Sequence, residues 1–190
     1  VMQSRTMSLL GICIGVSAVA MLWSALYVAL PTIQQDLQAS ALQAQWVVNM
    51  YGVFITSTLV LFGRLSDRLG YRFLFMMGLI LAMVSLLGSA LSHTINQLIA
   101  CQALFGLSGG IALPVSQALI SHIYPDDLRA DAIGAWGMTV GLAMAIGPFV
   151  GGVLLGLGSW RILFIVGLVL PVLGFIFLWV FFPRPQRSSH

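Results

Sequence analysis

The sequence predicts an all-α membrane protein with six transmembrane helices that form one bundle and leave both termini in the cytoplasm. Its residues are 59% hydrophobic and 7% charged, and the mean hydropathy is +1.03. A soluble domain carries about 25% charged residues, so this chain has too few to cover a surface in water. Lipid must therefore be the solvent for most of its surface. The basic residues lie singly at the ends of apolar runs, which argues against a nucleic-acid partner.

The spans follow from the charge-free runs, because a helix needs about 20 apolar residues to cross the hydrocarbon core. The first run is closed by Pro31. The run from Phe73 to Pro125 contains no Asp, Glu, Lys or Arg and is too long for one helix. It divides best at Ser92-His93-Thr94. The spans of this single domain, residues 1–190, are approximately 7–30, 45–62, 73–91, 95–123, 132–157 and 162–182.

The arginines set the predicted orientation. Only Arg161 lies on the side opposite the termini, and cytoplasmic loops carry the excess of basic residues in membrane proteins. We therefore expect a multi-pass protein of a cytoplasmic, bacterial inner membrane. The first span is too long for a signal peptide and five more follow, so we expect it to be retained. The arginines on the side of the termini are Arg5, Arg64, Arg68, Arg72, Arg129, Arg184 and Arg187.

No catalytic, metal or cofactor site is indicated. Cys13 and Cys101 fall inside predicted spans, where small thiols are usually packing residues. His93 and His122 have no second ligand at metal-binding spacing. The sequence therefore favours a protein that is not an enzyme.

Glycines recur at small-xxx-small spacing, which lets helix backbones approach closely in lipid. This predicts close packing of spans one, four and five. Pro114 and Pro148 predict bends in spans four and five, which serve either motion or packing. The spaced pairs are Gly11 and Gly15, Gly106 and Gly110, Gly137 and Gly141, Gly147 and Gly151, and Gly152 and Gly156.

Two segments carry a resemblance to a known family. The first, Gly63–Arg72, resembles the signature between spans two and three of the major facilitator superfamily, with matches at Gly63, Leu65, Asp67, Arg68, Gly70 and Arg72. The second resembles the antiporter signature of its drug/proton exchangers, with matches at Gly141, Gly147, Pro148, Gly151 and Gly152. Shorter matches point to the fourteen-span exporter branch, of which this chain resembles the six-span N-terminal half.

The resemblance implies roles for the first segment. Asp67 and Arg68 would join a cytoplasmic charge network with Arg129, and Asp67 would also face a helix N-terminus of a second bundle. Arg64 and Arg72 are expected to be solvated residues that only set the topology.

Two charges typical of the exporter branch are missing. The position of the usual aspartate in span one is Trp23, and the position of the usual arginine in span four is Gln102. With both replaced, no predicted span has an ionisable carboxylate, arginine or lysine in its interior. We therefore expect no proton coupling through the residues of this chain. Loss of a former pair and drift in a retained fold explain the change equally well.

The resemblance implies a substrate path lined by spans one and four, and helical spacing places the candidate residues of each of these spans on one stripe, with Asn49 of span two as an addition. Aromatic and amide groups without charge favour a neutral or weakly polar ligand, although an aromatic stripe is more often packing. The candidate path residues are Trp23, Ser24, Tyr27, Asn49, Gln102, Phe105 and Ser116.

Three functions remain open on the sequence. In the first, the chain is a half-size transporter of a small organic or amphipathic solute that works as a dimer or with another six-span chain. Alternatively it is a non-transporting membrane subunit of a larger complex, or the first half of a longer exporter. In each case its partners are membrane lipid and further protein, because one bundle alone would expose polar groups to lipid. Fold alone does not choose among them.

Overall fold

The structure, a computed structural model, describes residues 2–181 and the side chains from residue 5 onward. The predicted end of the sixth span at Phe182 and the basic tail with Arg184 and Arg187 lie outside the described residues. The helices are α1 (Met2–Asp36), α2 (Ala41–Leu69), α3 (Tyr71–Ala90), α4 (Ile95–Ile123), α5 (Asp126–Leu155), α6 (Arg161–Gly167) and α7 (Val169–Phe181).

Six helical segments in residues 2–181 are long and apolar enough to cross a membrane, which confirms the predicted all-α fold with six such helices. The sixth consists of α6 and α7 together, Arg161–Phe181. This helical segment is interrupted at Leu168, because Pro171 has no N–H to donate to the carbonyl of Gly167, four residues earlier. Helical hydrogen bonding continues across the interruption, since the Leu168 N–H still donates to the Phe164 carbonyl at 3.1 Å.

The helices extend beyond the apolar runs from which they were predicted. The first does not end at Pro31, as the sequence suggested, but continues to Asp36. The second begins at Ala41 behind a capping box, in which the Gln43 N–H donates to the Ser40 hydroxyl and the Gln43 side chain accepts from the Ser40 N–H. The length of an apolar run reflects the thickness of the hydrocarbon core, whereas the backbone hydrogen bonds of a helix can continue beyond that core.

The centre of the bundle is formed by α1 and α4, which contact each other. α1 packs mainly against α5 and α7, and α4 packs mainly against α2 and α3. In the most apolar stretch of α1, 61% of the residues are buried, against 17% in α2 and 17% in α5. The faces of α2 and α5 are therefore the least covered surfaces of the bundle.

Candidate functional site

The signature segment, Gly63–Arg72, is almost entirely helical rather than a loop. α2 continues through Leu69, and Gly70 is the one residue between it and α3. Gly70 has φ of 91°, a left-handed value that glycine adopts without a steric penalty. The turn keeps Tyr71 beside Asp67, and the Tyr71 hydroxyl donates to the Asp67 carboxylate at 2.6 Å.

The charge network that the resemblance implied is not formed among residues 5–181. Asp67 holds Tyr71, whereas Arg129 forms its ion pair with Asp126, three residues earlier in α5, at 2.7 Å. Arg68 is exposed, and Gly63 and Leu65 are half-buried on the same helix. An ion pair within one helix turn is local, so Arg129 satisfies it without any contact to α2.

Arg72 does more than set the topology, which corrects the expectation for it. Its guanidinium donates to the carbonyl oxygens of Leu178 and Trp179, at 3.3 and 3.4 Å. These carbonyls belong to the last turn of α7 that the structure describes. Arg72 therefore fastens the end of α7 to the start of α3. Arg64 is exposed, as expected.

The antiporter-like segment, Gly141–Gly152, has two different faces. A Cβ at Gly147 would collide with the Ser24 hydroxyl and lie 2.5 Å from the Met21 carbonyl oxygen, and one at Gly151 would lie 3.1 Å from the Ala25 carbonyl oxygen. These two glycines therefore let the backbones of α5 and α1 touch.

The other face of this segment is open. Gly141 and Gly152 have no atom of another helix within 4 Å of an added Cβ, and Pro148 is exposed. Of the predicted spaced pairs on α5, only Gly147 and Gly151 both pack against another helix in the part of the chain that the structure describes.

Glycines of α4 bring α2 equally close. A Cβ at Gly106 would press on the Tyr51 carbonyl oxygen and lie 2.9 Å from the Tyr51 Cα. Gly110 packs in the same way against Thr58 and the Ile55 carbonyl. This close approach of α2 and α4 fixes the Tyr51 ring against the centre of the bundle.

Four aromatic rings form a column across three helices, which we call the aromatic column. From the core outward, Phe105 contacts Tyr51 with ring centroids 5.4 Å apart, and Tyr51 stacks on Trp23 at 5.6 Å with an interplanar angle of 23°. Trp23 then meets the edge of Tyr27 at 5.9 Å. Such pairs contribute about 0.5–1.5 kcal/mol each beyond the area they bury. The column connects the buried core to an exposed ring, because Tyr27 is 52% exposed.

An open cleft of about 470 Å³ lies over the outer end of the column, between α1 and α2. Its volume is within the range of pockets that hold drug-sized ligands. Three aromatic rings and two polar side chains line it, and none of its lining residues is charged. These residues, which we call the aromatic cleft, are Trp23, Tyr27, Trp46, Val48, Asn49, Gly52, Val53 and Thr56.

The structure separates the candidate path residues into two groups. Trp23, Tyr27 and Asn49 line the aromatic cleft. The others contact neighbouring helices inside the bundle. The Gln102 amide donates to the Ser89 hydroxyl at 3.4 Å, the Ser116 hydroxyl accepts from Trp136 at 3.0 Å, Phe105 is buried in the column, and Ser24 packs on Gly147.

Sequence reasoning missed Trp46 and Thr56 as cleft residues. Together with Asn49 and Val53 they follow steps of three and four, which place residues on one face of a helix. That spacing was present in the sequence. What it did not show was that this face lies beside Trp23 of α1 rather than against α4.

Trp23 has an unusual hydrogen-bonding state. Among the described residues its indole N–H is buried and has no acceptor. The hydroxyl of the next residue, Ser24, is satisfied by the Met21 carbonyl at 2.9 Å. A buried donor without a partner costs about 1–3 kcal/mol. Such a group in a native structure requires an explanation.

The predicted outer end of the bundle has a second polar cluster. The Asp36 carboxylate accepts from the Trp160 indole at 2.9 Å and from Arg161 at 3.1 Å. Arg161 also donates to the Ser92 carbonyl at 3.0 Å and lies over the Trp160 ring. The cluster joins the ends of α1, α3 and α6, and it gives Arg161, the exception to the arginine distribution, a structural reason.

Known proteins resemble the chain along almost its whole length. The sequence family described as the Major Facilitator Superfamily matches residues 12–190. The uncharacterized transporter YebQ of Escherichia coli strain K12 is 32% identical over 189 residues, which are 99% of this chain and 41% of that protein. The riboflavin transporter RibZ of Clostridioides difficile strain 630 is 29% identical, over 97% of this chain and 40% of its own.

Further matches agree. The multidrug efflux pump LfrA of Mycolicibacterium smegmatis is 36% identical over 76% of this chain and 29% of its own. A bacterial homologue of the human lysosomal transporter Spinster, in an inward-facing occupied conformation, shares the fold with a TM-score of 0.84 and 19% identity. That structure covers 97% of this chain, and this chain covers 46% of it.

The chain thus spans about two fifths of the length of the full transporters YebQ and RibZ. The six-helix fold, the two matching segments and these relatives agree with one another. The chain belongs to the Major Facilitator Superfamily.

Proposed function

We propose that this chain is one half of a membrane transporter that moves an uncharged small organic or amphipathic solute, with a second six-helix bundle completing the path. The observation that carries the proposal is the aromatic cleft, an open and uncharged cleft between α1 and the exposed face of α2. Family membership supports transport. The cleft supports the chemical class of the solute.

The lining of the cleft argues for an uncharged solute. Trp23, Tyr27 and Trp46 supply ring faces, and Asn49 supplies an amide that both donates and accepts hydrogen bonds. A charged solute would lose its hydration without gaining an ion pair, which costs several kcal/mol. The similarity to a riboflavin transporter and to multidrug exporters fits a planar organic solute.

The uncovered faces of the bundle support a second bundle. On α2, Asn49, Thr56 and Ser57 are exposed. The hydroxyls of Thr56 and Ser57 donate to their own helix at 2.7 Å, but the Asn49 amide has no such local bond among the hydrogen bonds described. An exposed amide within a membrane span is unfavourable in lipid and favourable against protein. The second bundle is another copy, a different six-span chain, or a continuation of the same polypeptide.

The setting follows from the same observations. We propose a bacterial cytoplasmic membrane, with both chain termini on the cytoplasmic side, because the arginines concentrate there and the relatives named above are bacterial proteins. A non-transporting subunit of a larger complex is the second candidate. The exposed faces of α2 and α5 would then bind other subunits rather than a matching bundle.

The test measures transport and assembly in parallel. Cells that express the chain are loaded with an uncharged fluorescent aromatic compound, and its movement is compared with that in cells expressing Tyr27→Ala, Asn49→Ala and the control Trp179→Ala. Trp179 is exposed on α7 and does not line the cleft. Transport that the cleft variants reduce about tenfold and the control preserves supports the proposal. A protein with no transport that purifies only within a larger assembly would favour the subunit.

Native mass spectrometry in detergent then identifies the source of the second bundle. A mass of two chains indicates a homodimer, and a mixed mass indicates a different partner. A stable monomer that transports after reconstitution would contradict the need for any second bundle.

A further inference from the structure

The aromatic cleft is lined by Trp23, whose indole N–H has no acceptor among the described residues. One face of the Trp23 ring stacks on Tyr51, and the ring also forms part of the cleft wall. Its N–H is buried and without an acceptor among the described residues, although the ring as a whole is only half-buried. The N–H therefore lies at a buried edge of the indole, whereas another part of the same ring lines the open cleft.

The two aromatic neighbours of Trp23 on either side differ in how tightly they are packed. Tyr51 is held by the close packing of Gly106 on its backbone, and a Cβ at Gly109 would lie 3.2 Å from its hydroxyl. Tyr27, on the other side of Trp23, is 52% exposed and borders the cleft. For the buried N–H to reach a solute, the indole would have to rotate toward the cleft and displace the exposed Tyr27 rather than the packed Tyr51.

We infer that Trp23 determines the specificity of this cleft by selecting flat, uncharged aromatic solutes that carry a hydrogen-bond acceptor on the ring edge. The solute stacks among the rings of Trp23, Tyr27 and Trp46, and its acceptor takes the indole N–H that has no partner in the empty cleft. This rests on the proposed function and narrows its solute class. An aromatic hydrocarbon of the same shape would gain the stacking but leave the donor unpaired.

Quinoline and naphthalene form the matched probe pair, because they have the same shape and differ by one ring nitrogen that accepts a hydrogen bond. Both are uncharged at neutral pH. Binding to the purified chain is measured by equilibrium dialysis, with detergent micelles alone in a parallel chamber to subtract partitioning. Relative to the partitioning of each probe into the micelles, we expect quinoline to bind about tenfold more favourably than naphthalene, the ratio that corresponds to about 1.4 kcal/mol.

Two variants separate the donor from the stacking. Trp23→Phe keeps an aromatic face and removes the N–H, so the preference for quinoline should fall to about one while naphthalene still binds. Trp46→Phe is the control, because it alters another ring of the same cleft and should leave the preference near tenfold. Nuclear magnetic resonance of the chain with ¹⁵N-labelled indoles gives a measurement without a variant. Quinoline, but not naphthalene, should move one indole N–H resonance downfield.

The outcomes distinguish this inference from the proposed function. Equal binding of both probes to the unmodified chain, or a preference that survives Trp23→Phe, overturns the role of Trp23 and leaves the cleft as a solute site. If neither probe binds above the detergent background, the inference falls together with the cleft as a site for aromatic solutes. If Trp23→Phe does not fold, the resonance shift in the unmodified chain decides.

Discussion

The Asp36 carboxylate lies 3.1 Å from the Arg161 guanidinium and 2.9 Å from the Trp160 indole nitrogen, although 124 residues separate Asp36 from Trp160. The two donors differ in burial. The Arg161 side chain is 30% exposed, whereas Trp160 is 1% exposed. The buried indole therefore depends on Asp36 more strongly than the solvated guanidinium does. The two contacts hold the last turn of α1, beyond Pro31, against the start of α6.

The cluster of Asp36, Trp160 and Arg161 predicts an order of stability among variants of Asp36. Asp36→Ala leaves the buried Trp160 N–H without an acceptor and should lower the free energy of unfolding by about 1–3 kcal/mol. Asp36→Asn keeps an acceptor oxygen and should lose only the ion pair, about 0–1 kcal/mol. Thermal unfolding of the purified chain in detergent measures both changes. Equal melting temperatures for the two variants and the unmodified chain would contradict the assigned role of the carboxylate.

The two faces of α5 predict opposite effects of the same substitution. Gly147→Ala places a methyl group against Ser24 and the Met21 carbonyl, so α1 and α5 must separate and the chain should be destabilised by about 1–3 kcal/mol. Gly141→Ala meets no neighbouring helix and should be neutral or stabilising by up to about 1 kcal/mol, because alanine favours a helix more than glycine does.

Melting temperatures of the two glycine variants, measured under the same detergent conditions, check the pair. A larger loss for Gly141→Ala than for Gly147→Ala would show that α5 packs on α1 through its other face. If a second bundle covers the open face, Gly141→Ala should instead weaken assembly while the isolated bundle stays stable.

Asp67 should be the most sensitive charged residue of the signature segment. It is the only acid there, and its carboxylate accepts the Tyr71 hydroxyl across the Gly70 turn. We propose that it also faces a helix N-terminus of the second bundle, so Asp67→Asn should weaken assembly more than Arg64→Gln, which changes an exposed residue. The fraction of assembled protein in native mass spectra, compared between the two variants, is the measurement. Equal tolerance of both changes would remove Asp67 from the interface.

Transport by a homodimer should not respond to a proton gradient. The charged residues of the described chain lie near the ends of its helices. α4 contains no Asp, Glu, Lys or Arg, and its histidine, His122, lies in the last turn. At the two positions where the resembling exporters carry charges, Trp23 stacks on Tyr51 and Gln102 bonds to Ser89. Neither group takes up a proton near neutral pH.

Uptake into vesicles, with and without an uncoupler, tests this prediction directly. Accumulation that is unchanged by the uncoupler agrees with it, and collapse of accumulation in a confirmed homodimer would reveal a proton site elsewhere in the chain. A different partner bundle could bring its own carboxylate, so the assembly must be identified by its mass first.

The sequence by itself determined the membrane class, the six spans and the family. The class and the spans follow from local properties, namely the length of charge-free runs and the position of arginines, and the family was indicated by the resemblance of the segments around Gly70 and Gly147 to its signatures. Each of them acts within one helix or one turn, where the sequence order is also the spatial order. The fold class could therefore be predicted before any contact between helices was known.

Only the tertiary structure decided which residues meet. Trp23 was expected on a path with Asn49 and Gln102. Asn49 does line the cleft with it, together with the unexpected Trp46 and Thr56, whereas Gln102 donates to Ser89 inside the bundle. Arg72 was expected in solvent and contacts the end of α7, while Arg129 pairs within its own helix. A helical period shows which residues share a face, but the rotation of each helix is set by packing. Here close contacts at Gly106, against α2, and at Gly147, against α1, fix that rotation, and neither contact is visible from one helix alone.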